Sequence, residues 1–195
     1  MKKFELTAES KINASGKKLF RIKALISFGS VEEGETGGWV EKEDNLSQSG
    51  NAWVFDNAEV FGNARVSGNA RVFGNARVFD NAEVSDNAWV FGNAWVSDNA
   101  RVSGNAEVFD NAWVFGNAWV FDNADYATIH GFGTQFRTTT FFRCKDKQVK
   151  VSCGCFYGTI PEFREQVKNT RKGKIAEEYL MIADLMEKHF AEEAK

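Results

Sequence analysis

Between Gly50 and Phe121 the chain repeats one pattern every six residues: a glycine or aspartate, an asparagine, an alanine, a variable position x, a valine, and a phenylalanine or serine. Twelve such hexads run through seventy-two residues without insertion, and a thirteenth begins at Asp122-Asn123-Ala124, with Tyr126 and Phe132 in the slots of the next two valines. A period of six excludes an amphipathic helix. At about 3.6 residues per turn it drifts around the helix and leaves no face apolar. It predicts a β-solenoid in which each hexad supplies one short strand and one corner. The valines from Val54 to Val120 point inward and stack, and the alanines sit where the corner leaves no room for more. Burying each valine contributes roughly 1.5–3 kcal/mol against the cost of ordering the chain. The Gly-Asn and Asp-Asn pairs form the corners, since Gly and Asn tolerate positive φ, and the thirteen asparagines from Asn51 to Asn123 are expected to stack as amide ladders.

Written from valine, the unit Val-(Phe or Ser)-(Gly or Asp)-Asn-Ala-x resembles the hexapeptide repeat of left-handed parallel β-helices, in which three hexads make one triangular coil. The resemblance implies four regular coils, stacked at about the 4.8 Å strand spacing. Strand alternation then sends x and the residue after valine outward. Every third hexad shares a face. The first face carries Trp53, Phe55, Arg71, Phe73, Trp89, Phe91, Glu107 and Phe109. The second carries Glu59, Phe61, Arg77, Phe79, Trp95, Ser97, Trp113 and Phe115. The third, with Arg65, Glu83 and Arg101 in its x column and Ser67, Ser85 and Ser103 beside them, looks built for water until Trp119 and Phe121 in its last coil.

A contiguous aromatic patch marks an interface. The candidate interface residues are Trp53, Phe55, Arg71, Phe73, Trp89, Phe91 and Phe109 on the first face, with Trp95, Trp113 and Phe115 on the second. Three occupants compete: the terminal segments folded back, a second copy in a homodimer, or a foreign protein held by residues of the hot-spot type.

Flanking segments close the repeat. Lys3 to Phe28 reads as two strands about the turn Asn13-Ala14-Ser15-Gly16, and Val40, Leu46 and Val54, spaced six and then eight, make the first coil irregular. Arg137 to Cys155 reads as a β-hairpin turning at Asp146-Lys147, with Cys144 facing Val149 and with Phe142, Cys144, Val149, Val151, Cys153 and Cys155 on one face. Thr159-Ile160-Pro161-Glu162 is a capping box that starts a helix through about Asn169. A last helix spans about Lys174 to Ala191, and its stripe of Ile175, Tyr179, Leu180, Ile182, Ala183, Leu185, Met186 and Phe190 is expected to pack on the hairpin and the last coil. The fold expected is mainly β: a left-handed parallel β-helix of about four regular coils plus irregular end coils, with a small α+β C-terminal domain. Residues 1–36 form the N-terminal β-hairpin cap, 37–132 the hexapeptide-repeat helix, and 133–195 the C-terminal β-hairpin and two helices.

Composition narrows the chemistry. No apolar stretch approaches the ~20 residues of a membrane span, and the opening residues lack the apolar core of a signal peptide, so no membrane and a cytoplasmic location are expected. A net charge of -3 across 195 residues provides no basic stripe for duplex nucleic acid. Arg71, Arg77, Trp89 and Trp95 could stack the bases of a single strand, and Lys145, Lys147, Lys150, Arg171, Lys172 and Lys174 could hold phosphates, but Glu59, Glu83 and Glu107 interrupt the ladders. Nucleic acid therefore ranks below protein as a partner. The only histidines, His130 and His189, lie outside the hexads, and no loop breaks the repeat, so no catalytic residues, and no enzyme, are expected. Cys144, Cys153 and Cys155 lack paired metal-ligand spacing and read as small buried apolar residues, so neither a metal nor a cofactor is expected.

The segments Gly37-Gly38-Trp39-Val40-Glu41, Asn45-Leu46-Ser47, the Asn-Ala-x-Val hexads, Arg137-Thr138-Thr139-Thr140-Phe141-Phe142 and Cys153-Gly154-Cys155-Phe156-Tyr157-Gly158-Thr159 with Glu162-Phe163 together resemble a group of phage and prophage hexapeptide-repeat proteins, mostly of unassigned function. The resemblance covers nearly the whole chain and implies a phage origin. By analogy with small phage proteins that antagonise host machinery, it suggests a non-enzymatic inhibitor that binds a host bacterial protein, such as an anti-phage defence protein, in the host cytoplasm. A self-associating assembly protein and a binder of single-stranded nucleic acid or nucleotides are the alternatives.

Overall fold

The computed structural model describes residues 2–191. Strands β1 (Phe4–Ile12) and β2 (Lys18–Ala24) form the expected antiparallel hairpin. Its turn is held by Asn13, whose side-chain oxygen accepts from the backbone N–H groups of Ser15 and Lys17, both at 3.0 Å. β2 then pairs with β3 (Thr36–Val40), which starts the parallel stack by setting Val40 against Val60.

Twelve two-residue strands follow, β4 to β15, from Trp53–Val54 to Trp119–Val120, one in every hexad and each consisting of x and its valine. They form three parallel columns. Face 1 is β4, β7 (Arg71–Val72), β10 (Trp89–Val90) and β13 (Glu107–Val108). Face 2 is β3, β5 (Glu59–Val60), β8 (Arg77–Val78), β11 (Trp95–Val96) and β14 (Trp113–Val114), extended at its edge by the N-terminal hairpin. Face 3 is β6 (Arg65–Val66), β9 (Glu83–Val84), β12 (Arg101–Val102) and β15, and Leu46 bridges to Val66 at its start. The result is a β-solenoid of about five turns. Its irregular first turn absorbs two extra residues between Leu46 and Trp53, where the spacing of eight falls.

The repeat valines and alanines are fully buried and make one continuous core. At the corners the positive φ falls on the glycine or aspartate, as at Asp56 (φ 52°), Gly62 (71°) and Asp98 (56°), and not on the asparagine as expected. The asparagines serve instead through their side chains. Amides donate to the one eighteen residues on, as in Asn51–Asn69–Asn87–Asn105, at 3.0 to 3.2 Å. Aspartate also bridges coils: wherever it precedes a glycine in the corner stack, its carboxylate accepts the glycine N–H, as from Asp98 to Gly116 at 3.0 Å.

The C-terminal region holds more strands than a hairpin. β16 (Tyr126–Phe132), β17 (Arg137–Arg143), β18 (Val149–Cys153) and β19 (Phe156–Thr159) form a four-stranded antiparallel sheet, so the segment after Asp125 leaves the solenoid path. The hairpin register is also one residue from that expected: Arg143, not Cys144, faces Val149, and Phe141 faces Val151. The cause is a three-residue turn, Lys145-Asp146-Lys147, with Lys147 at φ 65° and closed by Cys144 and Gln148. One residue of slip exchanges faces. Phe142 and Cys144 therefore plug the end of the solenoid core with Tyr126, while Phe141 and Val151 enter a second core beneath the helices.

Helix α1 (Ile160–Thr170) begins at the capping box, where the Thr159 Oγ1 accepts from the Glu162 N–H and the Glu162 carboxylate accepts from the Thr159 N–H. Helix α2 (Gly173–His189) lays Tyr179, Ile182, Ala183 and Met186 on the second core. That core contains no solenoid residue, so α2 packs on the sheet and not on the last coil, and Leu185 is exposed.

Candidate functional site

The repeat places x and the post-valine residue on the outside of each face, so the outer surface is a set of columns with one side chain per coil. Along face 1, Phe73 stacks on Phe91 at 4.7 Å and Phe91 on Phe109 at 5.2 Å, nearly parallel. Beside this column Trp89 packs its edge against Phe73, and the Arg71 guanidinium lies 5.5 Å from the Trp89 ring centre. On face 2, Arg77 lies over Trp95 at 5.4 Å, and Trp95 meets Trp113 edge-on at 5.8 Å. Arginine over an aromatic face is held by the ring quadrupole and presents a flat, rigid surface.

The terminal segments cover both ends of these columns. Trp53 is fully buried beneath Phe4 and Phe28, with ring centres at 6.1 and 5.4 Å, so it is a core residue and not part of an interface. Phe55 is half-buried against the same core. On face 2 the N-terminal hairpin covers the early coils: Lys11 pairs with buried Glu59 at 2.8 Å, Arg77 reaches Glu59 from the next coil at 3.4 Å, and Leu19 packs with Trp39 and Phe61. At the other end Phe115 is half-buried under Tyr157 and Phe142, at 4.6 and 5.8 Å. Of the ten expected interface residues, Trp53, Phe55 and Phe115 are thus taken up within the chain. Burial pushes the Tyr157 hydroxyl above its ordinary range where it meets Phe115.

What remains is a band across the middle and late coils. Phe73 and Phe91 are half-buried by one another, while Trp89, Trp95 and Trp113 each stand 38% exposed and Phe109 36%. Trp119 and Phe121, on the face expected to be polar throughout its early coils, are 40% and 58% exposed. Their signal was in the sequence, as the one Trp-Phe hexad of that face. The remaining candidate chemistry is dispersed: His130 contacts Thr138 at 3.3 Å, His189 packs on Phe190, and the thiol of Cys153 accepts from Thr139 at 3.1 Å. Among the described residues no three His, Cys, Asp or Glu side chains gather as a metal centre requires, and no helix is long and apolar enough to cross a membrane.

A family model described as the YdcK beta solenoid repeat matches residues 64–79, which span β6, β7 and β8. The chain is a repeat β-solenoid protein. In this β-solenoid the match falls on three successive hexads, one from each face, and so covers all but two residues of one turn without reaching the exposed tryptophans. No curated protein matches the chain.

Proposed function

We propose that this β-solenoid is a non-enzymatic protein-binding protein, encoded by a phage, that acts in the bacterial cytoplasm by occupying the surface of a host protein. The observation that carries the reading is the exposed band of Trp89, Phe109, Trp95 and Trp113, with half-buried Phe91 between them, left open where the terminal caps stop. Rigid aromatics flanked by arginine are the residues that dominate binding energy, because they bury large area at little cost in side-chain entropy. The phage origin rests on the sequence resemblance, and the antagonist role on analogy. His189 packs on Phe190, and His130, which shares a surface pocket with Trp113 at the edge of the band, contacts only Thr138 by a side-chain hydrogen bond among the described residues.

The test is affinity capture from bacterial lysate. The native chain is compared with a Phe73→Ser, Trp89→Ser, Phe91→Ser variant and with a Trp95→Ser, Trp113→Ser variant, both of which keep every core valine. Enrichment of one host protein by the native chain, lost with either variant at unchanged thermal stability, supports the reading. Equal capture by all three chains, or by none, overturns it for these faces.

A further inference from the structure

Each face of the solenoid carries its charges differently. On faces 2 and 3 opposite charges stand one coil apart and pair within the chain, Arg77 with Glu59 at 3.4 Å and Arg101 with Glu83 at 3.3 Å. On face 1 the exposed x column reads Arg71, Trp89, Glu107, so a tryptophan separates the two charges. Two coils at about 4.8 Å set them about 10 Å apart along the column, beyond the reach of an ion pair. Arg71 lies against Trp89 instead, and among the described residues neither Arg71 nor Glu107 has an ion-pair partner. The column therefore carries a positive and a negative charge of equal spacing on either side of its tryptophan, neither of them in an ion pair among the described residues.

We propose that face 1 binds face 1 of a second copy of this chain, with the two solenoid axes antiparallel, about a two-fold axis running along β10. This rests on the reading of face 1 as a protein-binding surface but gives that face a second copy as its occupant, which leaves the host-protein contact to Trp95 and Trp113 on face 2. Rotation about the strand direction keeps each side chain's place along the strand and reverses the order of the coils. Arg71 of each copy then faces Glu107 of the other, Phe73 faces Phe109, and Trp89 and Phe91 each face their own counterparts. A two-fold axis along the solenoid would instead set the x column against the phenylalanine column and pair no charge. Self-complementarity of this kind is what a closed dimer requires, since each contact is made twice. Opposite charges directly across the seam fix its register.

The experiment is sedimentation equilibrium on the full chain, comparing the native protein with Arg71→Glu, Glu107→Arg and the double exchange, with thermal unfolding to confirm that each variant folds. Each single reversal puts like charges at both ends of the seam and is expected to weaken the dimer by about tenfold or more, and the double exchange to restore it to within about threefold. A native chain that is monomeric at all concentrations overturns the proposal, and so does a dimer indifferent to the single reversals. If the chain is monomeric while the Phe73→Ser, Trp89→Ser, Phe91→Ser variant still loses a captured host protein, the second copy is the wrong occupant and face 1 remains a binding surface. A dimer that survives all these changes, with no capture dependent on face 1, removes both readings.

Discussion

Trp53 and Trp89 occupy the same position of the repeat and share one column, yet they do opposite things. Trp53 is sealed beneath Phe4 and Phe28, and Trp89 is 38% exposed. Trp53→Ala should therefore cost about 3–5 kcal/mol, the range for a fully buried large aromatic. Trp89→Ala, which loses only the edge contact with Phe73 and the Arg71 guanidinium over its ring, should cost about 1 kcal/mol. Thermal unfolding followed by circular dichroism separates the two, and equal losses would mean that the N-terminal cap does not hold Trp53. Sequence periodicity could put both residues on the outside of a strand but could not tell them apart, because what covers Trp53 comes from residues more than twenty positions earlier. Cys144 is a second residue whose surroundings set its chemistry. Burial against the end of the solenoid, reinforced by the Asp146 carboxylate, pushes its thiol up to about 11 from an ordinary 9.0. Between those values the unfolded chain releases the proton while the folded chain keeps it, so stability falls as pH rises through that window. Cys144→Ala should remove that part of the decline, measured as the difference in melting temperature between pH 9 and pH 10.5 for the two proteins.

At the level of the element, the hexad strands were legible because each is specified by its own six residues and repeated twelve times. The capping box of α1 was legible for the same reason, since a helix start is written within four residues. The β17–β18 register was not, because it turns on Lys147 adopting a left-handed conformation that glycine usually supplies. β16 was hidden as well: Tyr126 and Phe132 sit at hexad spacing, but the intervening residues lack the valine and the Asn-Ala corner, and the strand pairs with β17 instead. The Gly37-Gly38 pair shows how a local signal can have a distant cause. A Cβ at Gly38 would lie 2.7 Å from the Val54 side chain and 2.9 Å from the backbone oxygens of Phe55 and Ala58. Only a residue without a side chain lets β3 close over the first regular coil. Gly38→Ala should destabilise the protein by about 1–3 kcal/mol through overpacking, whereas Gly34→Ala, with open space around it but φ 88°, reports the backbone cost alone. Denaturant titration of the two variants gives the comparison, and a Gly38→Ala protein no less stable than Gly34→Ala would show that the approach is not close.

For the whole molecule, the solenoid is a rigid rod with a sheet and two helices at one end and a hairpin at the other, and these caps decide how much of its surface is free. They use aromatic side chains of the repeat as their own footing, which is why the candidate surface is narrower than the columns read from sequence. They also cover the two ends of the repeat array, where stacked coils would otherwise offer strand edges to another chain. Replacing the hairpin's contact with Glu59 by Lys11→Ala removes one of two cations from a carboxylate only 7% exposed, and should lower the melting temperature by about 2–4 °C. Scanning calorimetry of the two proteins checks that expectation.

The eighteen-residue period has a genetic consequence. Recombination between nearly identical coils can delete one turn in frame, and loss of residues 81–98 would join Asp80 to Asn99 with every corner intact. Arg71 would then stack directly beside Glu107, neutralise it within the same chain and leave nothing to offer a second copy, at the cost of bringing Arg65 next to Arg101 on face 3. The deleted protein is expected to remain folded by circular dichroism and to sediment as a monomer. An array of this kind can therefore lose a partner in one deletion, which takes Trp89 and Phe91 out of the seam and brings together the two charges that flanked them.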